Sequence, residues 1–247
     1  MELNEQEKER YTRHLQLSEI GVEGQEKLKE ARVLVVGGGG LGSPVLLYLT
    51  AAGVGHIGLV DDDRVAASNL HRQVLYDTDS VGLSKVQVAT RTLTSLNPFC
   101  RITPHEGRLT EENADTLVGS HDVVVDATDN LTARYLMDEV CSRHRRPLVH
   151  GSVRGWQGQI SVFHYRGGPS YRDLFPYDES IHRYKQPLGL PGTVPGVVGT
   201  LQANEVIKII LGRQEVLSGK LLMLDLLVPR FTIIALRRGV AKEPEST

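Results

Sequence analysis

The stretch VLVVGGGGLGSPVLLYLTAAGVGHIGLVDDD, Val33 to Asp63, decides the fold. Four apolar residues run into a glycine turn, a helix-length apolar segment follows from Gly42 to about Ala52, and a second strand, HIGLVD, ends on acid. Gly37, Gly39 and Gly42 fit G-x-G-x-x-G directly after the first strand, and Gly38 and Gly40 leave the turn still less obstructed. Missing side chains let the backbone approach a phosphate, and the following helix directs its free N–H groups there. A tight turn serving only helix–sheet packing has the same glycines; the complete strand–turn–helix–strand context favours phosphate binding. Asp61 lies 19 residues beyond Gly42, where a carboxylate at a strand end accepts from ribose hydroxyls. Asp62 and Asp63 beside it have the composition of solvent-facing turn acids. At this point a nicotinamide dinucleotide and ATP are both admissible ligands.

Outward from this unit the rhythm continues. GLSKVQVATRTLTSLNP predicts a helix stopped near Asn97-Pro98, CRITPHEG a strand, EENADTLVGS a helix and DVVVDAT a buried strand. A helix over ARYLMDEVCSRHR and a strand over PLVHGSV follow. Strands separated by helices imply a parallel sheet. Upstream, ELNEQEKERYTRHLQLSEIG predicts one or two short helices and GQEKLKEA another, with Tyr11, Leu15 and Leu17 near a packing face. After Gly155 the texture changes, and WQGQISVFHYRGG reads as antiparallel sheet. Residues 169–196 hold five prolines and read as a loop, either a lid or a partner-binding crossover. A helix over GTLQANEVIKIILG and the strand pair KLLMLDLL and RFTIIALRR complete the pattern. The expected fold class is α/β: a Rossmann-like, mostly parallel sheet extended by antiparallel C-terminal strands, with N-terminal helices. The expected organisation is one domain over 1–247, with a helical extension (1–30), a nucleotide-binding core (31–155) and a carrier-binding and crossover portion (156–247).

Composition excludes several classes. A chain of 247 residues buries roughly three quarters of its extended surface, so neither metal nor disulfide is needed for stability. With 28 Lys plus Arg against 30 Asp plus Glu, the formal charge of -2 offers no broad attraction to nucleic acid or an anionic membrane. Cys100 and Cys141 form neither a disulfide framework nor a zinc ligand set. With no hydrophobic export segment at the start, a cytoplasmic setting is expected. The apolar runs are too short to span a bilayer.

The segment SNLHRQVLYDTDSVGLSK weakens the dinucleotide reading. Backbone N–H groups largely accommodate a bridging pyrophosphate, whereas a triphosphate benefits from side-chain cations. Arg72 offers a bidentate fork, Lys85 a point charge and Asn69 a neutral donor; Gln73 is placed to order the loop. DVVVDATDN brings Asp126, Thr128, Asp129 and Asn130 to the carboxyl edge of the sheet, where open α/β folds hold ligands. Phosphate-bound Mg²⁺ needs only one or two protein carboxylates. Asp129 fits that role, Asp126 fits ordering of the strand end, and Asn130 fits a helix cap; capping by the whole cluster is the plainer alternative. His71 is a candidate nucleotide neighbour and His150 a strand-end hydrogen-bonding residue. Ser152, His150 and Asp129 are the right types for a triad, but a triad is geometry rather than inventory. Gly151, Gly155 and Gly158 leave room for an extended peptide, with Arg154 available for its carboxylate and Trp156 either on that peptide or in the core.

Taken together, GGGGLGS, DDDRVAASNLHRQ, GLSK, DATDN, the early RYTRHL and the late GTLQANEVIK resemble the ThiF/MoeB/HesA family of E1-like adenylyltransferases, from about Arg10 to Arg238. The resemblance implies a homodimer that adenylates the C-terminal glycine carboxylate of a ubiquitin-fold sulfur-carrier protein ending in Gly-Gly, consuming ATP with Mg²⁺ and releasing pyrophosphate. It implies that Gly40, with Gly37, Gly39 and Gly42, forms the phosphate turn and that Asp61 meets the ribose. Ser68, Asn69, Arg72 and Lys85 then surround the phosphates, Asp129 is the catalytic, magnesium-associated acid, and Asn130 is its neighbour. Arg13 corresponds to an arginine reaching across the dimer into the partner's ATP site. The chain departs from the family in two places. SYRD, Ser170 to Asp173, stands where many relatives have the first of two C-x-x-C pairs, and no cysteine follows Cys141, so no structural zinc is expected. Lys185 stands near the place of a crossover cysteine, and Cys141 reads as a core residue, which leaves activation without covalent transfer. The competing accounts are a non-catalytic nucleotide- or protein-binding relative and an NAD-dependent oxidoreductase.

Overall fold

In the computed structural model, which describes residues 1–177 and 189–236, Asn4 accepts from the N–H of Glu7 and Glu7 returns its carboxylate to the N–H of Asn4. This reciprocal cap starts α1 (Glu5–Arg10), followed by α2 (Thr12–Leu15) and α3 (Gly21–Glu30). Leu28 of α3 is fully buried, and the buried Tyr11 hydroxyl accepts from Asn97 at 2.8 Å, tying this layer to the main fold.

The core then alternates as the apolar spacing predicts: β1 (Arg32–Val36), α4 (Gly42–Ala52), β2 (His56–Asp61), α5 (Lys85–Leu96), β3 (Arg101–Glu106), α6 (Glu111–Gly119), β4 (Val123–Asp126), α7 (Leu131–His144) and β5 (Leu148–Arg154). Gly53, at φ +84°, ends α4 in the left-handed region, and Asn97 before Pro98 leaves α5 in an extended conformation. Next come β6 (Gln157–Phe163), α8 (Tyr171–Leu174), α9 (Thr193–Ile210), β7 (Lys220–Asp225) and β8 (Arg230–Ala235). Among the described residues eight strands form one sheet in the order β3-β2-β1-β4-β5-β6-β7-β8. The first five are parallel, and β5 through β8 pair antiparallel. Because β1 lies between β2 and β4, the connections leaving β1 and β4 diverge and open a crevice at the carboxyl ends of the strands.

Alternation along β1 builds two cores. Val33 and Val35 join Leu46 and Leu49 of α4, Leu93 of α5 and Val198 and Val206 of α9. Leu34 and Val36 join Leu117 and Val118 of α6 and Met137, Val140 and Cys141 of α7. Each such apolar side chain taken fully from water contributes about 1.5–3 kcal/mol, so the strand is held from both faces. Cys141 is the core residue expected; burial pushes its thiol pKa up, and that of Cys100 is pushed up to about 12.

Helix forms at both ends of the proline-rich segment, on either side of residues 178–188. Ser170 and Asp173 form a capping box that opens α8, and α9 begins at Thr193, earlier than the helix expected from Gly199. Pro195 falls in the first turn of α9, where the missing N–H would have had no intrahelical partner. Residues 178–188, including Lys185, lie outside the described residues. Two of the three glycines read as room for a peptide serve packing instead. A Cβ at Gly151 would lie 2.4 Å from Gln202, and one at Gly158 would lie 2.4 Å from Val198, so side chains of α9 fill both spaces. Trp156 is exposed at the β5–β6 turn rather than in the core.

Candidate nucleotide site

A cavity of about 830 Å³ occupies the crevice beyond β1, β2 and β4. Gly37, Gly39, Gly40, Asp61, Asn69, Arg72, Lys85, Asp129 and Asn130 all line it. Three other expected site residues do not: Gly42, Ser68 and Arg13.

The glycines divide by task. Gly37 has φ +102°, and a Cβ there would lie 2.6 Å from the Ala127 carbonyl oxygen. A Cβ at Gly42 would lie 2.0 Å from the Gly37 carbonyl oxygen, which makes it a packing residue at the start of α4. At Gly39 the nearest contact is the Gln73 amide nitrogen at 3.5 Å, so its surface stays open to the cavity. Asp61 Oδ2 accepts from the Gly38 N–H at 2.7 Å and Oδ1 accepts from the Asp63 N–H at 2.8 Å, fixing the carboxylate beside the turn.

The cations come from the connection after β2. Arg72 donates to Asn69 Oδ1 at 2.8 Å and to the Ser68 carbonyl at 3.3 Å. Ser68 therefore supports Arg72 from behind instead of facing the cavity. Lys85, the first residue of α5, is almost fully buried; its Nζ sits 2.7 Å from Asp63 Oδ2 and 4.0 Å from Asp61 Oδ1. A buried ammonium requires such partners. Asp62 pairs with Arg108 at 2.7 Å, and oxygens of Asp61, Asp62 and Asp63 lie within 4.8 Å of one another.

The acid comes from the connection after β4. Asp126 is buried at the strand end: Oδ1 accepts from the Thr128 N–H at 3.1 Å, and Oδ2 lies 2.6 Å from His150 Nδ1 and 3.0 Å from Arg134 Nε. Arg134 also donates to the Thr128 carbonyl at 2.6 Å, so both backbone polar groups of Thr128 are tied down. Burial is the largest single influence on Arg134 and opposes its charge, but Asp126, Tyr171 and Asp129 together outweigh it and the guanidinium pKa is raised. Burial lowers the His150 pKa despite Asp126. Asn130 accepts from the Ala133 N–H at 3.2 Å and caps α7. Asp129, between these anchors, is exposed at the cavity wall. The geometry dissolves the triad inventory, because His150 is fully buried against Asp126 and not against Asp129. His71 is exposed, with Nδ1 3.0 Å from the Ser68 carbonyl, and does not line the cavity.

Sequence reasoning missed several wall residues. Arg108, Leu109 and Thr110 enter from the connection after β3, Val153 from β5 together with Ser152, read in sequence only as a triad type, and Leu190 and Pro195 from just before and within the first turn of α9. The rule that ligands gather beyond the carboxyl ends of parallel strands was a usable signal for the first group. Leu190 and Pro195 carried none, since their segment lacks periodicity. Arg13 is exposed on α2, where it donates to Gln16 at 3.3 Å.

A glycine turn, a strand-end carboxylate and the side chains of Arg72 and Lys85 around one cavity define an α/β protein with a candidate phosphate-binding site. The ThiF family model matches residues 11–243, and the chain belongs to the ThiF family. It is 51% identical over 226 residues to the adenylyltransferase and sulfurtransferase MOCS3 of Anopheles gambiae, covering 90% of this chain and 51% of that protein. The chain thus spans about half the length of its MOCS3 relatives. It is 45% identical over 246 residues to the sulfur carrier protein adenylyltransferase of Thermus thermophilus, covering 97% of this chain and 91% of that protein. Among solved structures, E. coli MccB with ATP superposes with a TM-score of 0.79 at 26% identity, covering 94% of this chain and 73% of that one.

Proposed function

We propose that this chain is an ATP-dependent adenylyltransferase that activates the C-terminal glycine carboxylate of a ubiquitin-fold sulfur-carrier protein ending in Gly-Gly, forming an acyl-adenylate and releasing pyrophosphate. The observation that carries the reading is the convergence of Gly40, Asp61, Arg72, Lys85 and Asp129 on one cavity. The names of the MOCS3 and Thermus relatives support the same activity.

The chemistry needs no protein nucleophile, and no general base, because a carboxylate is already ionised near neutral pH. Its difficulty is the approach of one anion to another. Arg72 and Lys85 offset the charge on the phosphoryl oxygens, with Lys85 exchanging its contact with Asp63 for a phosphate oxygen. Asp61 holds the ribose, and the wall formed by Ser152, Val153, Leu190 and Pro195 receives the carrier tail in line with the α-phosphorus.

The residues present fit Mg²⁺. Asp61 accepts two backbone N–H groups, while Asp62 and Asp63 hold Arg108 and Lys85, so the exposed Asp129 is the better magnesium-associated acid. When bound, the ion supplies neutralisation of phosphate charge and eases departure of pyrophosphate. The proposal includes a homodimer, in which the exposed Arg13 serves the partner's cavity, and a reducing, cytoplasmic setting suited to two buried free cysteines. Among the described residues no helix is long and apolar enough to cross a membrane.

The test is isotope exchange between pyrophosphate and ATP with a panel of molybdopterin-type and thiamin-type carriers. Exchange that needs both magnesium and a matched Gly-Gly terminus is expected. ATP binding with no exchange against any carrier contradicts the enzyme reading in favour of a binding relative. Saturation by NAD with no affinity for ATP reinstates the oxidoreductase.

A further inference from the structure

Gly38 occupies a free position of the glycine pattern, yet its side-chain space is claimed by a neighbour outside the turn. A Cβ there would lie 2.7 Å from the Tyr76 hydroxyl, with Asp61 Oδ2 next at 3.4 Å and Leu59 at 3.6 Å. The Tyr76 hydroxyl donates to the Gly38 carbonyl at 2.7 Å, while Asp61 accepts from the Gly38 N–H at 2.7 Å. Gly38 is therefore held by both of its peptide groups. Tyr76 is only 7% exposed, and burial, followed by the charges of Asp61 and Asp63, pushes its phenol pKa up, which keeps the hydroxyl a donor.

We propose that Tyr76 is a positioning residue for the nucleotide phosphates: its hydroxyl sets the Gly38–Gly39 peptide and couples the glycine turn to the Arg72 segment. The inference rests on the nucleotide reading above and adds a residue to it. The carbonyl of Gly38 and the N–H of Gly39 belong to one planar trans peptide and point in opposite directions. Anchoring the carbonyl on Tyr76 thus fixes the direction of the N–H of Gly39, a residue that lines the cavity. Tyr76 lies on the segment that carries the cation, where its N–H donates to the Gln73 carbonyl at 3.1 Å and the Gln73 N–H donates to the Asn69 carbonyl at 3.0 Å. One hydroxyl accordingly registers the phosphate turn against Arg72. A buried carbonyl that loses its donor no longer has a preferred orientation, so preorganisation of the turn is what the hydroxyl supplies.

The test titrates MgATP into the intact chain, Tyr76→Phe and Tyr165→Phe. Tyr165 is a matched control, since its hydroxyl donates to the Arg213 carbonyl at 2.9 Å away from the cavity. Tyr76→Phe is expected to weaken ATP binding about fivefold or more and to raise KM for ATP by a similar factor, with kcat within about twofold. Tyr165→Phe is expected to leave ATP binding unchanged. Unchanged ATP affinity in Tyr76→Phe, or an equal loss in both variants, overturns the role while leaving the nucleotide reading intact. No ATP binding by the unaltered chain overturns both. A second comparison places Gly38→Ala in each background: the substitution is expected to weaken ATP binding with Tyr76 present and much less with Phe there, whose nearest clash has gone. Equal losses in the two backgrounds contradict the proposed contact.

Discussion

At the scale of single residues, the glycine turn separates packing from ligand approach. Gly42 faces the Gly37 carbonyl so closely that any side chain must displace backbone, whereas Gly39 meets only the end of the flexible Gln73 side chain. Gly42→Ala is therefore expected to lower stability by about 1–3 kcal/mol, measured as a shifted urea midpoint. Gly39→Ala is expected to stay within about 0.5 kcal/mol of the parent by the same measurement, yet to bind ATP more weakly. Equal midpoints for the two variants contradict this division. The motif spacing made Gly37, Asp61 and Asp129 legible, because each sits at or just beyond a strand end, while Arg72 and Lys85, in the connection after β2 and at the start of α5, were legible from their charge and from the family resemblance. Arg134 was not legible: its role depends on reaching back from α7 to Asp126 and to the Thr128 carbonyl. Gly42 was expected to bind cofactor, and only the folded turn reveals that its constraint is the Gly37 carbonyl.

At the scale of elements, α9 links the cavity to the sheet. Its first turn contributes Pro195 to the wall, and further along Gln202 donates to the carbonyls of Asp126 at 2.8 Å and Val149 at 3.2 Å. One buried amide thus clasps the end of β4 to the first residues of β5, beside the connection that carries Asp129. Gln202→Leu preserves much of the volume and removes both donors, so a stability loss of about 1–3 kcal/mol is expected from denaturant unfolding. A midpoint equal to that of the parent contradicts the clasp. The helix itself was visible in GTLQANEVIK, but a glutamine in an apolar helix gives no sign in sequence of which carbonyls it meets. The start of α9 was hidden by the proline that its first turn tolerates. Antiparallel extension was legible in the change of texture after Gly155 and in the closing strand pair, whereas the exposure of Phe231 and Ile233 on the last strand was not.

At the scale of the whole molecule, several histidines are folded in as neutral groups. His56 has its pKa lowered to about 4, chiefly by burial and then by His121, whose ring centroid is 5.4 Å away. Burial likewise lowers His105, His121 and His150. Because the unfolded chain takes up these protons first, stability is fully present above the ordinary histidine value of about 6.5 and is lost as pH falls toward 4. The thermal midpoint is expected to drop between pH 6.5 and 5, and His56→Gln is expected to flatten that slope; a flat profile in the unaltered chain contradicts it. The proposed shared sites carry a separate expectation. Arg13→Ala and Asp129→Ala chains, each weak in exchange alone, are expected to regain partial activity when mixed, since one cavity of the mixed dimer then has both residues. Failure to complement contradicts the shared site.

In the proposed reaction, the cavity that holds Arg72, Lys85 and Asp129 joins a carrier carboxylate to the α-phosphorus of ATP. Intact-mass analysis of a matched carrier after incubation with the chain and MgATP tests it most directly. A carrier heavier by one adenylate is expected with the unaltered chain, and none with a folded Asp129→Ala variant. Adenylate formation undiminished in that variant, or a carrier of unchanged mass across the whole panel with ATP bound, would contradict it.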